Sequence, residues 1–436
     1  MRLTAAVTAV ALLSGCGIFK GKSGPKTPVV GERIPILTAE SSVKVDPSIA
    51  DVQVVLPAPE PNGEWSQPGG NAAKSMGHLA LGGSLQKVWS ANIHGSSNSA
   101  RLASAPVVSG GRVYVIDTEA RVQAFDAATG KAVWSTELGS KRNSGALFGG
   151  GVSVEGDRVF ATSGLGDVAA LNASSGSVIW KKRPGGPLRG SPTLSNGNVY
   201  VVSQDNQIFA LNAENGDLGW TESGTLEVTG VFGVAAPAAG QGTVIVGYSS
   251  GELTAYRYEN GRTLWGDALS RTSISTSVAS LSDIDADPVI DRGRVYAVGQ
   301  GGRMASYELV TGQRLWEINA AGISTPWVAG EWLFVVTDDA QLLCIARATG
   351  KIRWISQLKH YENAKKKKNP MNWTGPVLAG GRLILVSTEG DLVNVDPSDG
   401  SIQSKQELNG GMSLSPVVAN NMLYILDDDG HLAAYR

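Results

Sequence analysis

From about residue 85 onward, the apolar positions of this chain fall in short runs, alternating or β-branched, each closed by a polar turn. The first complete set reads Ala105-Pro106-Val107-Val108, then Gly111-Arg112-Val113-Tyr114-Val115, then Val122-Gln123-Ala124-Phe125-Asp126, then Lys131-Ala132-Val133-Trp134. Runs this short with a two-residue period predict strands. The same order then returns, with second strands predicted at Val159, Val199, Val244, Val295, Leu333, Leu383 and Leu423. Third strands are predicted at Val168, Ile208, Leu253, Met304, Leu342, Leu392 and Leu432. Fourth strands are marked by Trp89, Trp134, Trp180, Trp220, Trp265, Trp316 and Trp354, spaced 38 to 51 residues apart, and one more from Ser401 to Glu407 carries Ser404 where Trp is expected. Four short strands in a repeat of this size make the blade of a β-propeller.

The two ends of the array set the blade number. The last unit has three strands and reaches Arg436 without a fourth, whereas the strand from Leu85 to Ile93 precedes the first complete unit and has no first three of its own. Pairing them predicts an all-β, eight-bladed propeller over residues 84–436, with four-stranded antiparallel blades closed by an N-terminal strand joining the C-terminal three. An open array would leave exposed strand edges and a split apolar face.

Composition fits a turn-rich β fold: 55 Gly, 19 Pro, 42% hydrophobic and 17% charged residues. A net charge of −2 argues against nucleic acid as a partner, since such proteins carry a basic excess. At the N-terminus, Arg2 precedes a short apolar stretch from Leu3 to Leu13, and Leu13-Ser14-Gly15-Cys16 closes it. That stretch is too short to span a bilayer. It resembles a bacterial lipoprotein signal, which implies a signal peptide over 1–15 and acyl chains on Cys16; an ordinary secretory peptide is the alternative. Gly17 in place of Asp favours the outer membrane under that resemblance. Residues 16–83 then read as a lipidated tether and extension, Pro- and Gly-containing, that touches the propeller at the apolar islands Ile34 to Leu37 and Val52 to Leu56. A flexible segment of ~60 residues spans about 40 Å. Cys344, the other cysteine, lies in a predicted strand and reads as an inert core residue.

The stretch Ala124-Phe125-Asp126-Ala127-Ala128-Thr129-Gly130-Lys131-Ala132-Val133-Trp134 resembles the tryptophan-docking motif of quinoprotein dehydrogenase propellers, and it recurs more loosely up to Trp180, Trp220 and Trp354. A quinone enzyme also needs calcium ligands and a catalytic base converging on the axis. Nothing in the chain supplies a matching set. The adjacent cysteine pair of many such enzymes is missing, Asp126, Asp396 and Asp427 to Asp429 sit where turns need them, and the four histidines are scattered. No cofactor, no metal and no enzymatic activity are expected; a quinone-dependent dehydrogenase and a periplasmic ligand-binding propeller stand as alternatives.

A lipoprotein signal followed by eight such units is similar to the BamB family, lipoproteins of the outer-membrane β-barrel assembly machinery. The most specific segment is Leu281-Ser282-Asp283-Ile284-Asp285, which matches the family's Leu-Ser-Asp-Val-Asp. The resemblance implies that Asp283 and Asp285 belong to a surface that docks on the periplasmic domains of BamA, the barrel-inserting subunit; capping of local turns is the competing reading. A second docking patch, Leu-x-Leu-Arg-Gly in the family, corresponds to Leu226-Glu227-Val228-Thr229-Gly230. Leu226 and Val228 keep the apolar pair, and Thr229 stands where the family has Arg. The same resemblance implies a lipid-anchored protein on the periplasmic side of the outer membrane that assists folding and insertion of outer-membrane proteins, with unfolded clients as further partners.

In a four-stranded meander, the links from fourth to first strand open on the same rim as the turns between second and third strands. The longest links, 139–148, 223–234, 268–287 and 358–374, are all of the first kind. They predict one face for binding. The last contains Lys365-Lys366-Lys367-Lys368, which reads either as a solvated loop or as a contact for an acidic partner or lipid surface.

Overall fold

The computed structural model describes residues 43–139, 148–226, 234–269 and 282–436. The expected signal peptide over 1–15, Cys16, Val228 and Thr229 lie outside them.

Each predicted unit folds as a four-stranded antiparallel sheet, and there are eight such sheets. Blade 1 is Val107–Ser109, Arg112–Ile116, Arg121–Asp126 and Ala132–Glu137. Blades 2 to 7 follow in chain order, and blade 7 ends with Ile402–Glu407. Blade 8 joins Val417–Ala419, Met422–Leu426 and His431–Tyr435 to the early strand Lys87–Asn92, with Trp89 opposite Ala434 and Asn92 opposite His431. The ring is closed by the two ends of the array.

Burial grades outward along each blade. Inner strands are apolar on both faces and buried, whereas an outer strand such as Val178–Lys182 buries only its central Trp180. That one side chain joins neighbouring blades. The indole Nε1 of Trp180 donates to the Ala213 carbonyl at 3.1 Å in blade 3, and its ring lies 6.0 Å from that of Phe160. Above it passes Gly216 at φ 74°, where a Cβ would lie 2.6 Å from Trp180 Cε3. Only glycine fits both the left-handed backbone and the close approach. The indole bond repeats for Trp89, Trp134, Trp220, Trp265, Trp316 and Trp354. Ser404, opposite Asn394 in blade 7, is the exception. Its neighbour is blade 8, where the third-to-fourth turn is replaced by the junction of the array's ends, so no turn is present to receive an indole.

The recurring aspartates cap turns. Asp126 Oδ1 accepts from the Thr129 amide and hydroxyl at 2.8 and 2.7 Å, Asp396 does the same for Ser398, and Asp427 accepts from the His431 amide at 2.7 Å.

Residues 57–82 circle the axis at the end of the ring where first and second strands turn. They bond in succession to the first strand of each blade or its adjoining turn: Trp65 with Val108, Ser66 with Val154, Gln67 with Leu194, Ala72 with Ala239, Ala73 with Ile290, Gly77 with Trp327, Leu79 with Leu378 and Asn62 with Asn420. First strands are the inner edges of the sheets, and this segment satisfies backbone groups those edges leave open. Contact therefore extends well past the one described apolar island, Val52 to Leu56. Lys74, 2% exposed, reaches Thr193 Oγ1 at 3.2 Å. Burial pushes its ammonium down to about 8.

Candidate functional site

At the other end of the axis, the links into the first strands surround an open funnel of about 610 Å³, with Arg101, Phe148, Val234, Asp285, Ile323 and Asp428 in its wall. Residues from fourth-to-first links and from second-to-third turns both line it, as the meander geometry requires. Because residues 57–82 occupy the far end, the funnel is a recess on one face.

Behind its wall lies a buried ion cluster. Arg189 enters from the link before blade 3, its backbone held by Val202 and by the Gly150 amide. Gly149 makes that approach possible, since a Cβ there would meet the Leu188 carbonyl oxygen at 2.2 Å. Arg189 Nη2 donates to Asp283 Oδ1 at 2.8 Å and to Asp285 Oδ1 at 3.1 Å. Arg189 and Asp283 are 1% exposed, and Asp285 is 9% exposed. Burial, then the neighbouring Asp283 charge, pushes the Asp285 carboxyl up to about 7 despite the guanidinium. One cation facing two carboxylates is best neutralised when one carboxyl holds a proton. Burial raises Asp287 as well, where the Ala236 amide donates at 2.7 Å.

The sequence expectation of Asp283 and Asp285 as surface charges is therefore corrected in one respect: both side chains point inward and hold the link 282–287 in place. A charge near the rim reads as solvent-facing in sequence, and only the fold reveals the arginine beneath it. Arg189 was missed for the same reason. Its one sequence signal was an arginine between Leu188 and Gly190, directly before a predicted first strand.

Leu226, by contrast, is 66% exposed. It stands close to the aspartate link, because both segments lean on one turn of blade 4. Thr225 donates from its amide and hydroxyl to Glu252 at 2.7 Å. From the other side, the Ile284 amide donates to the Tyr248 carbonyl at 3.1 Å and the Ser282 hydroxyl to the Ser249 carbonyl at 3.4 Å. Leu226 and the link that starts at Ser282, 56 residues apart in sequence, thus flank the single turn Tyr248 to Glu252.

The residues present do not fit a quinone with its calcium. Of the funnel carboxylates, Asp285 is already bonded to Arg189 and Asp428 accepts from the Ser413 hydroxyl, and among the described residues no group of three or more His, Cys, Asp or Glu is placed to hold a cation. Cys344 is buried, and burial raises its thiol strongly. Such a funnel can seat a side chain or a loop of a partner, with the rim as contact surface.

The profile described as "Outer membrane protein assembly factor BamB" matches residues 84–147, 119–356 and 362–436. The outer membrane protein assembly factor BamB of Yersinia pestis is 28% identical over 440 residues, covering 99% of this chain and 98% of that protein. BamB from Moraxella catarrhalis superposes with a TM-score of 0.68 at 20% identity, covering 81% of this chain and 100% of that one. Quinohemoprotein alcohol dehydrogenase from Comamonas testosteroni shares the fold, with a TM-score of 0.67 at 13% identity over 85% of this chain and 80% of that one. With a profile match running through all eight blades, this chain belongs to the outer membrane protein assembly factor BamB family.

Proposed function

We propose that the chain is a non-catalytic scaffold of outer-membrane protein assembly, docking through its funnel-side rim on the periplasmic domains of the barrel-inserting subunit BamA. Family membership supports the assembly role. The observation that carries the docking surface is the convergence of Leu226 and the 282–285 link on the turn Tyr248 to Glu252. In this reading Leu226 and Val228 make apolar contact, while Asp283 and Asp285 act from beneath by fixing the link on Arg189. An exposed leucine on a rigid rim is a natural anchor for a partner. Cys16, acylated, would hold the protein on the periplasmic side of the outer membrane, since several acyl chains anchor stably where one binds reversibly. Assistance to folding and insertion follows from orienting the partner and offering outer strand edges to unfolded clients.

Binding of the purified chain to isolated periplasmic domains of the barrel-inserting subunit tests this. Leu226→Glu is expected to weaken binding at least tenfold, about 1.4 kcal/mol, with the fold intact by circular dichroism. Unchanged affinity would remove this rim from the interface.

A further inference from the structure

The four-lysine run belongs to a built feature. Tyr361–Asn363 and Lys368–Pro370 pair as a two-stranded hairpin, Tyr361 opposite Pro370 and Asn363 opposite Lys368. Its base is fastened to the rim: the Met371 amide donates to His360 at 2.9 Å, Trp373 Nε1 donates to the Lys359 carbonyl at 2.8 Å, and the His360 and Tyr361 rings stack at 4.3 Å. Its tip is fastened too, by Lys366 N donating to Asn363 Oδ1 at 3.1 Å and by the Asn369 amide on the Glu362 carboxylate. Lys367 and Asn369 hold φ 48° and 56°, a backbone region that a lysine rarely adopts.

Lys365, Lys366, Lys367 and Lys368 are all exposed, and no ion pair to any of them is found among the described residues. Their mutual repulsion and the left-handed Lys367 both oppose this hairpin; the asparagine bonds hold its backbone, but among the described residues no carboxylate pairs with the lysine ammonium groups. Concentrated charge held in a built hairpin with no counter-charge of its own marks a functional position. The overall charge of −2 makes this concentration of positive charge a feature of one site.

We propose that this basic finger is a second contact of the docking face, gripping an acidic patch on the same protein partner; the inference rests on the docking reading above. Position favours a protein over a lipid surface. The finger leaves the end of blade 6's outer strand Ile352–Gln357 that faces the funnel side. At the other end of that strand, Ile352 O accepts from the Asp46 amide at 2.8 Å and Lys351 pairs with Asp46 at 3.4 Å, so the residues around Asp46 lie on the opposite side. The finger thus projects from the Leu226 face, away from those residues.

The test compares the full-length chain with a variant carrying Lys365→Glu, Lys366→Glu, Lys367→Glu and Lys368→Glu, binding to immobilised periplasmic domains of the barrel-inserting subunit at several salt concentrations. Vesicles rich in phosphatidylglycerol serve as the lipid probe. Exposed charges steer association, so the variant should associate about 10-fold or more slowly at low salt, with a shallower salt dependence and unchanged circular dichroism. Equal rates and equal salt dependence for both proteins would overturn the proposal. So would loss of vesicle binding with partner binding intact, which would assign the finger to lipid. If the wild-type chain itself fails to bind the domains, the docking reading fails and this one with it.

Discussion

Replacing Arg189 by Met separates a buried ion cluster from every other role of the rim. The guanidinium is 1% exposed and lies 2.8 and 3.1 Å from two carboxylates that are themselves 1% and 9% exposed. Methionine fills similar volume without charge, leaving Asp283 and Asp285 facing each other with no cation. Breaking a buried pair by removing one partner costs about 3–5 kcal/mol, and two carboxylates against one cation place this case toward the upper end at pH 8. At pH 5, below the value of about 7 to which Asp285 is raised, that carboxyl holds its proton and the deficit shrinks. Adding Asp283→Asn and Asp285→Asn to Arg189→Met removes all three charges and should recover most of the loss, since an uncharged replacement of a buried cluster is often neutral. Urea unfolding followed by tryptophan fluorescence reads all three proteins. A penalty for Arg189→Met under about 1 kcal/mol at pH 8, within the range of surface substitutions, or a triple variant no better than the single one, would refute the reasoning.

The remaining predictions concern pH, the blade seams and ring closure. Asp285 titrates near 7 when folded and near 4 when unfolded. Between those values the folded state holds a proton the unfolded state has lost, so stability falls as pH rises through that window. Asp285→Asn should therefore match wild type at pH 4 and exceed it by about 1–3 kcal/mol at pH 8, while retaining partner binding; a binding loss with stability gained would show a direct contact instead. Trp180→Ala should cost about 3–5 kcal/mol in chemical unfolding. Gly216→Ala should be destabilising alone and milder in the Trp180→Ala background, because the ring that a new Cβ would meet is gone. Ending the chain before His431 leaves Lys87–Asn92 without its partner strand, and size-exclusion chromatography should show aggregation in place of a folded monomer.

The ring itself was legible because blade chemistry is local. Alternation within five residues, a Gly turn and a Trp repeat identified the second, third and fourth strands of the blades, and the unmatched strand near Trp89 specified closure. Even Ser404 was visible as an exception, though its reason, the absent neighbouring turn, required the fold. The axis was not legible. Residues 57–82 bond through backbone groups and through Gln67 and Asn62, so they show no apolar period and resemble a linker. Arg189 meets Asp283 across 94 residues, a distance no local pattern encodes. The lysine finger reads as a solvated run because its hairpin is fixed by the asparagines Asn363 and Asn369, which are turn residues in any loop.

Purification of the chain from its native envelope in mild detergent, followed by identification of what remains bound, tests the account most directly. The barrel-inserting subunit of the outer-membrane assembly machinery should be recovered with the wild-type chain and be depleted with Leu226→Glu. Recovery of the chain free of that subunit, or equal recovery with both proteins, would contradict a propeller that works by docking through its funnel-side rim.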